Sequence, residues 1–236
     1  MVEKLRLLSK ELVAEGTMAF HFKKPADFEF RAGQYGEFTL LDPPETDEAG
    51  NSRIFSLVQA PHEGEIVLAT RLRDSAFKRV LRESPVGTEV KFDGPWGDFR
   101  LHKKESTPAV FLIGGIGVTP VRSIISQATH DRTGHQLLLI HANEDASGAP
   151  FVADFERFAA ENPNFTYVQA LSSPTEDWQG EVGRIDHAML RRHVADLAAP
   201  IYYLSGPAGM VKAMRGLVLE AGADEDNIRT EEFSGY

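Results

Sequence analysis

The sequence contains no cysteine. That excludes disulfides, a thiol nucleophile and an all-cysteine zinc site. It equally excludes a cysteine-ligated iron–sulfur cluster within this chain. If the protein handles electrons, a bound organic cofactor must carry them. No run of about 18 apolar residues occurs, so no membrane span is expected. The opening MVEKLRLLSKELVAEG mixes charges into its apolar positions and lacks the uninterrupted core of a signal peptide. A cytoplasmic location is therefore expected. A cationic excess is missing too: the formal net charge is −10. Residues 1–103 hold 15 Lys and Arg against 17 Asp and Glu, and the remainder 10 against 18. Such acidity argues against a nucleic-acid partner. No GxSxG elbow supports a serine hydrolase. His130/His135 and His187/His193 lack the i,i+4 spacing of a helical metal pair, so they read as surface residues and no metal is expected.

What is present divides into two patterns. The first hundred residues are short runs rich in β-branched and aromatic residues: TMAFHF, QYGEFTLL, RIFSLV, EIVLATRL and TEVKFDG. Glycines and the Pro43–Pro44 turn separate them, which predicts an antiparallel barrel or sandwich. One segment, residues 75–83, instead puts Phe77, Val80 and Leu81 on one helical face, with Ser75 as a suitable N-cap. After the polar stretch HKKEST, residues 102–107, continuous apolar runs alternate with helical segments, as in a parallel sheet covered on both faces. The expectation is a two-domain chain. Residues 1–103 form an N-terminal antiparallel β-barrel with a short helix, and residues 104–236 a C-terminal α/β parallel sheet that binds a nucleotide.

Gly114-Gly115-Ile116-Gly117-Val118-Thr119-Pro120 lies between a strand and a helix. Glycines there let backbone approach a phosphate, and the helix N-terminus offers free N–H groups and a positive dipole end. Thr119 is placed to cap the helix and Pro120 to occupy its first turn. The segment is not the GxGxxG fingerprint, and no P-loop lysine follows. Arg53-Ile54-Phe55-Ser56 offers a cation, a flat ring and a hydroxyl along one strand, with Arg53 and Phe55 on one face and Ser56 on the other. Alone it reads as a half-buried strand with an exposed Arg.

Taken in order, FRAGQY (30–35), RIFS (53–56), GPWGDF (94–99), GGIGVTP (114–120), LSGPAGM (204–210) and EEFSGY (231–236) resemble the ferredoxin–NADP reductase family, the FAD/NAD(P)H electron-transfer module. The resemblance covers nearly the whole chain. It implies that Arg53 pairs with the flavin pyrophosphate, that Ile54 and Phe55 line the flavin with Phe55 stacked on its ring, and that Ser56 bonds near flavin N5. Phe55 stands where the family has tyrosine, so stacking survives and a phenol hydrogen bond is lost. Arg71, Arg73, Ser75, Ala76 and Phe77 resemble the second phosphate motif. The glycine usual before its serine is missing, which leaves FMN open behind FAD. Gly114, Gly115, Gly117, Thr119 and Pro120 would hold the nicotinamide nucleotide. Ser205, Gly206 and Pro207 stand where relatives carry Cys-Gly-Pro. Phe233 is the favoured aromatic for the second flavin face and Tyr236 its rival. Glu231 or Glu232 would be a proton relay.

The implied reaction is hydride transfer from NADH or NADPH to FAD, with Ser56, Ser205 and Phe233 beside the reacting rings and the cofactors meeting in the interdomain cleft. It needs the two reacting atoms within roughly 3–3.5 Å. Asn143-Glu144-Asp145 would repel a 2′-phosphate and favours NADH, whereas Arg184 offers a cation. The expected acceptor is a small redox protein such as ferredoxin, flavodoxin or an oxygenase component. The cluster Arg71, Arg73, Lys78, Arg79 and Arg82 reads as a solvated helix face plus phosphate contacts, or as a dock for that acceptor. The competing readings are a flavin-bearing subunit of a larger complex and a reductase of free flavin.

Overall fold

A computed structural model describes residues 2–233. Its N-terminal half is a six-stranded antiparallel sheet. The strands are β1 (Val2–Ala14), β2 (Thr17–Lys23), β3 (Tyr35–Leu40), β4 (Ser52–Ser56), β5 (Glu65–Arg71) and β6 (Glu89–Trp96), in the order β4-β3-β6-β1-β2-β5. The sheet curls until its two edges meet: just past β4, the Val58 N–H donates to the Val67 carbonyl of β5 at 2.9 Å. Inside lie Leu5, Phe20, Phe22, Phe38, Leu68 and Phe92, all essentially inaccessible to water. Helix α1 (Ala76–Glu83) closes one end with Phe77 and Leu81 buried, and Ser75 caps it by accepting from the Lys78 N–H.

The longest strand, β1, runs against its own composition. Its VEKLRLLSKELVA is rich in Leu, Lys and Glu, which favour helix, and only Leu5 and Leu7 are fully buried. It is a strand because β2 and β6 pair with it on both sides. Tertiary pairing outweighs local preference here.

The C-terminal half is a parallel sheet of β7 (Ala109–Gly114), β8 (Leu137–Asn143), β9 (Phe165–Leu171), β10 (Glu181–Val182), β11 (Ile201–Pro207) and β12 (Ile228–Phe233), in the order β10-β9-β8-β7-β11-β12. Helices α2 (Thr119–Asp131) and α3 (Val152–Glu161) lie on one face, α4 (His187–His193) and α5 (Ala208–Glu220) on the other. β7 shows why its sequence is apolar throughout: Phe111 and Ile113 face one core while Val110 and Leu112 face the other. The chain builds outward from β7 through β8 and β9, then returns to β7's other side with β11. Ligands of such sheets sit where strand order reverses, beyond the carboxyl ends of the strands. No helix among the described residues is long and apolar enough to cross a membrane.

Several contacts fasten the two halves. Arg122 of α2 is 5% exposed. It donates to Gln59 Oε1 at 2.6 Å and Glu63 Oε2 at 2.7 Å from the barrel side, and to Asp154 Oδ2 of α3 at 2.9 Å. Burial alone would lower its pKa, but the carboxylates of Glu63 and Asp154 outweigh that and the net shift is upward. Arg71 donates to the Gly148 carbonyl at 2.9 Å, and the Glu15 N–H to the Ser147 carbonyl at 2.8 Å. The polar stretch that follows the barrel is held by hydrogen bonds as well. The Tyr203 hydroxyl accepts from the His102 N–H at 2.9 Å and donates to the Arg100 carbonyl at 3.1 Å. His135, expected at the surface, is buried there, because its Nε2 is needed to donate to the His102 carbonyl at 2.9 Å.

Replacing Arg122 with Met should cost about 3 kcal/mol of stability, since Glu63 would lose its cationic partner and Asp154 would keep only the more exposed Arg157. Urea unfolding measures this, and adding Glu63→Gln should recover part of the loss.

Candidate functional site

The glycine-rich turn begins immediately after β7. A Cβ on Gly117 would lie 2.7 Å from the Gly206 backbone, and one on Gly114 would lie 2.4 Å from Met210 Sδ. Gly206 itself has φ of +147° and passes within contact of Gly114. The turns ending β7 and β11 therefore touch backbone to backbone, which side chains would forbid. His141 of β8 fixes this turn by donating from Nε2 to the Gly115 carbonyl at 2.9 Å. Burial pushes its pKa down to about 4, so it is neutral at physiological pH. The sequence offers no signal for this role.

Thr119 does not cap α2. A 3-10 turn over Gly115–Val118 already bends the chain, which moves the cap position to Val118, and no side chain caps the helix. The buried Thr119 hydroxyl donates back to the Ile116 carbonyl at 3.1 Å, while Pro120 occupies the first turn as expected. The helix start thus has no side-chain cap and its Thr119 N–H bonds back to the Ile116 carbonyl, so an anion here would meet the glycine turn ahead of the helix. Beside them opens a cleft of about 550 Å³ lined by Gly114, Gly115, Asn143, Glu144, Arg184 and Pro207, with Arg71 and Arg73 reaching in from the barrel.

Where the two halves meet, Ser56 of β4 donates to Glu231 Oε1 at 2.7 Å. Glu231 belongs to β12, whose parallel register places it level with Ser205, and Phe233 level with Pro207. Burial pushes the Glu231 carboxyl up to about 7, and the Ser56 hydrogen bond offsets only part of that. The Ser205 hydroxyl is buried without a partner among the described residues. Ser56, Ser205, Glu231 and Phe233 are thus gathered at one place from both halves. Glu232 points to solvent. The EEFSGY segment is strand as far as Phe233, and Tyr236 lies outside the described residues.

Along the barrel, Phe55 is half-buried, with its ring 5.9 Å from Phe38 and 5.7 Å from Phe77. Ile54 is 61% exposed. The Arg53 guanidinium lies over the Phe77 ring at 5.4 Å and bonds Asp47 Oδ1 at 2.9 Å. The other Asp47 oxygen accepts from the Ala76 N–H at the start of α1, at 3.0 Å. Nothing in the local sequence marks Asp47 for this place. Ser75, Ala76 and Phe77 stand at this cradle, with Arg73 close enough to depress the Lys78 amine together with burial and Arg53. Arg71 is drawn away to the Gly148 carbonyl. Arg79 is no free docking cation: Glu45 takes it in a two-pronged pair at 2.9 and 2.8 Å, and Asp74 adds a further bond.

Residues 111–216 match the family model of the oxidoreductase NAD-binding domain. A subunit of the Na(+)-translocating NADH-quinone reductase of Idiomarina loihiensis is 28% identical over 235 residues, covering 91% of this chain and 57% of that protein. The same component in Methylococcus capsulatus is 31% identical over 155 residues, 63% of this chain and 38% of that one. Among solved structures, a cytochrome P450 reductase from Amycolatopsis matches with TM-score 0.84 and 24% identity, over 98% of this chain and 70% of its own. A ferredoxin NADP+ reductase from Neisseria gonorrhoeae, solved with bound FAD and NADP, matches with TM-score 0.82 and 18% identity, over 98% of both chains. The chain as a whole shares the fold of these reductases, and residues 111–216 carry the oxidoreductase NAD-binding domain. It spans little more than half the length of the first of these curated relatives. The family match extends from β7 through the glycine turn into α5, so it takes in the cleft beyond β7. The carboxylate held by Arg53 and α1 marks an anion cradle in the barrel, and the glycine turn with its uncapped helix marks a second beyond β7.

Gly117→Ala should strain the contact with Gly206, costing about 1–3 kcal/mol of stability. It should also raise the KM for the nicotinamide nucleotide roughly tenfold or more, with the flavin content of the purified protein unchanged.

Proposed function

We propose that the chain takes reducing equivalents from NADH onto a bound FAD and delivers electrons to a separate redox carrier. The observation that carries this reading is the bond between Ser56 and Glu231, which joins the barrel's cradle to the strand beside Ser205. When bound, FAD supplies the conversion between two-electron donor and one-electron acceptor. Arg53, Ser75 and the Ala76 N–H would hold its diphosphate, and Phe55 would offer a ring face. Gly114, Gly115, Gly117 and the start of α2 would hold the diphosphate of NADH. Gly206 and Pro207 would keep the backbone close to the nicotinamide.

Ser56 and Ser205 supply small polar groups without crowding. With its carboxyl pushed up to about 7 by burial, Glu231 can give or take a proton through the Ser56 hydroxyl. Phe233, level with Pro207, stands where a ring can shield that place from water until a nucleotide displaces it.

Two observations favour NADH. Glu144 lines the cleft, and a 2′-phosphate beside it would meet like charge. The relatives are named as NADH-quinone reductase subunits. Those names also favour a second reading, in which the chain works as the flavin-bearing part of a larger assembly. Diaphorase activity of the purified chain with an artificial dye separates the two, because a component dependent on its assembly would show little.

The purified protein should be yellow, and NADH added without oxygen should bleach its visible bands. A folded, colourless preparation that takes up neither FAD nor FMN would end the proposal. The kcat/KM for NADH should exceed that for NADPH by about tenfold or more, the size of one unfavourable charge contact.

Glu231→Gln should remove an inflection near pH 7 from the pH profile of turnover. The sign for stability follows from the raised pKa. The folded state holds this proton more tightly than the unfolded one, so stability falls as pH rises from about 4.5 through 7. Glutamine should flatten that part of the stability profile.

A further inference from the structure

Asp47 lies in the loop between β3 and β4, and its carboxylate joins three segments. Oδ1 accepts from Arg53 Nη2 at 2.9 Å and from the Ala49 N–H at 3.1 Å. Oδ2 accepts from the Ala76 N–H at 3.0 Å, at the first residue of α1. A guanidinium on one oxygen and a helix-start amide on the other is the coordination that a phosphate would take. Lys78 lies within electrostatic reach of both Arg53 and Arg73. Lys78 is half-buried and its amine is held below the usual lysine range by burial, then by Arg73 and Arg53. The loop is also strapped from outside, where Glu45 takes the two-pronged pair with Arg79.

We propose that Asp47 is a built-in competitor for the flavin's diphosphate, seated in the cradle when flavin is absent and displaced with its loop when FAD binds. This rests on the flavin reading given above. A diphosphate brings more negative charge than one carboxylate to a cluster of Arg53, Arg73 and Lys78, so it wins the exchange. Asp47 nevertheless subtracts from the affinity and makes FAD uptake require movement of residues 42–51. The loop thereby sets how readily the chain gains or loses its flavin. A purely structural bridge between Asp47 and Arg53 would instead support the cradle, and its loss would weaken binding.

The test uses flavin-free full-length protein, titrated with FAD and, separately, with riboflavin, which has the ring but no phosphate. Binding is read by flavin fluorescence quenching. Asp47→Asn should tighten FAD about five- to tenfold, the worth of one partly exposed ion pair, and leave riboflavin unchanged. It should lower the Tm of the flavin-free protein without lowering that of the FAD-loaded one. Arg79→Gln, which loosens the strap without touching the cradle, should tighten FAD in the same direction and covers the case of an Asp47 variant that does not fold. Unchanged or weaker FAD binding in these variants overturns the competition, and so does an equal gain for riboflavin. Failure of the wild-type chain to take up any flavin removes the flavin reading itself, and this inference with it.

Discussion

The buried Arg122 guanidinium is the constraint on which the site depends. Ser56 comes from the barrel, whereas Ser205 and Glu231 come from the parallel sheet, so their meeting requires the two halves to hold one relative orientation. Arg122 supplies it by binding Gln59 and Glu63 on one side and Asp154 on the other. Ser123 reinforces the same seam by donating to the Gln59 carbonyl at 2.7 Å. Charge buried this deeply is stabilising only while every partner is in place, which makes the interface specific rather than merely sticky. An apolar seam of equal area would allow sliding, and a slide of about 1 Å is enough to spoil a site assembled across it.

Much of this architecture is legible because it follows periodicity. The alternating strands of the barrel, the continuous apolar run of β7 and the Ser75 cap all express local rules that hold in the fold. What stays hidden in the sequence depends on pairing. β1 has the composition of a helix and becomes a strand between two neighbours. β12, with the sequence IRTEEF, looks like a polar tail, and it is a strand because β11 offers it an open edge. The glycine turn is visible as a motif, but the reason for its glycines lies in the approach of Gly206, which is remote in sequence. Asp47 and His141 are hidden for a similar reason: each acts through one contact with an element that sequence alone does not place beside it.

The register of β12 against β11 has chemical as well as structural importance. Along a strand, alternate side chains face opposite ways, so a slip of one residue would exchange Glu231 for Glu232 at the site. One of these carboxyls is bonded to Ser56 and pushed up to about 7 by burial, while its neighbour points to water. A proton-exchanging group at neutral pH thus arises from an ordinary glutamate through pairing and burial alone. Loss of pairing at this edge would take Glu231 away from Ser56 and out of the burial that raises its pKa, without changing any residue that touches it.

The strand that carries Arg53 and Ser56 also sets the direction in which a ligand can lie. These two residues are three apart on β4, or about 10 Å along an extended chain. At one end stand Arg53, the start of α1, Arg73 and Lys78, a field that draws Asp47 into it. At the other end stand two hydroxyls and a carboxyl pushed up to about 7 by burial. A molecule with an anionic diphosphate and an uncharged ring system gains from this polarity in one orientation and loses in the reverse. Orientation is therefore decided by the charge gradient before any ring is stacked. That gradient also explains why a side chain can mimic the ligand at the charged end, where a carboxylate is enough, while the ring end has no such substitute.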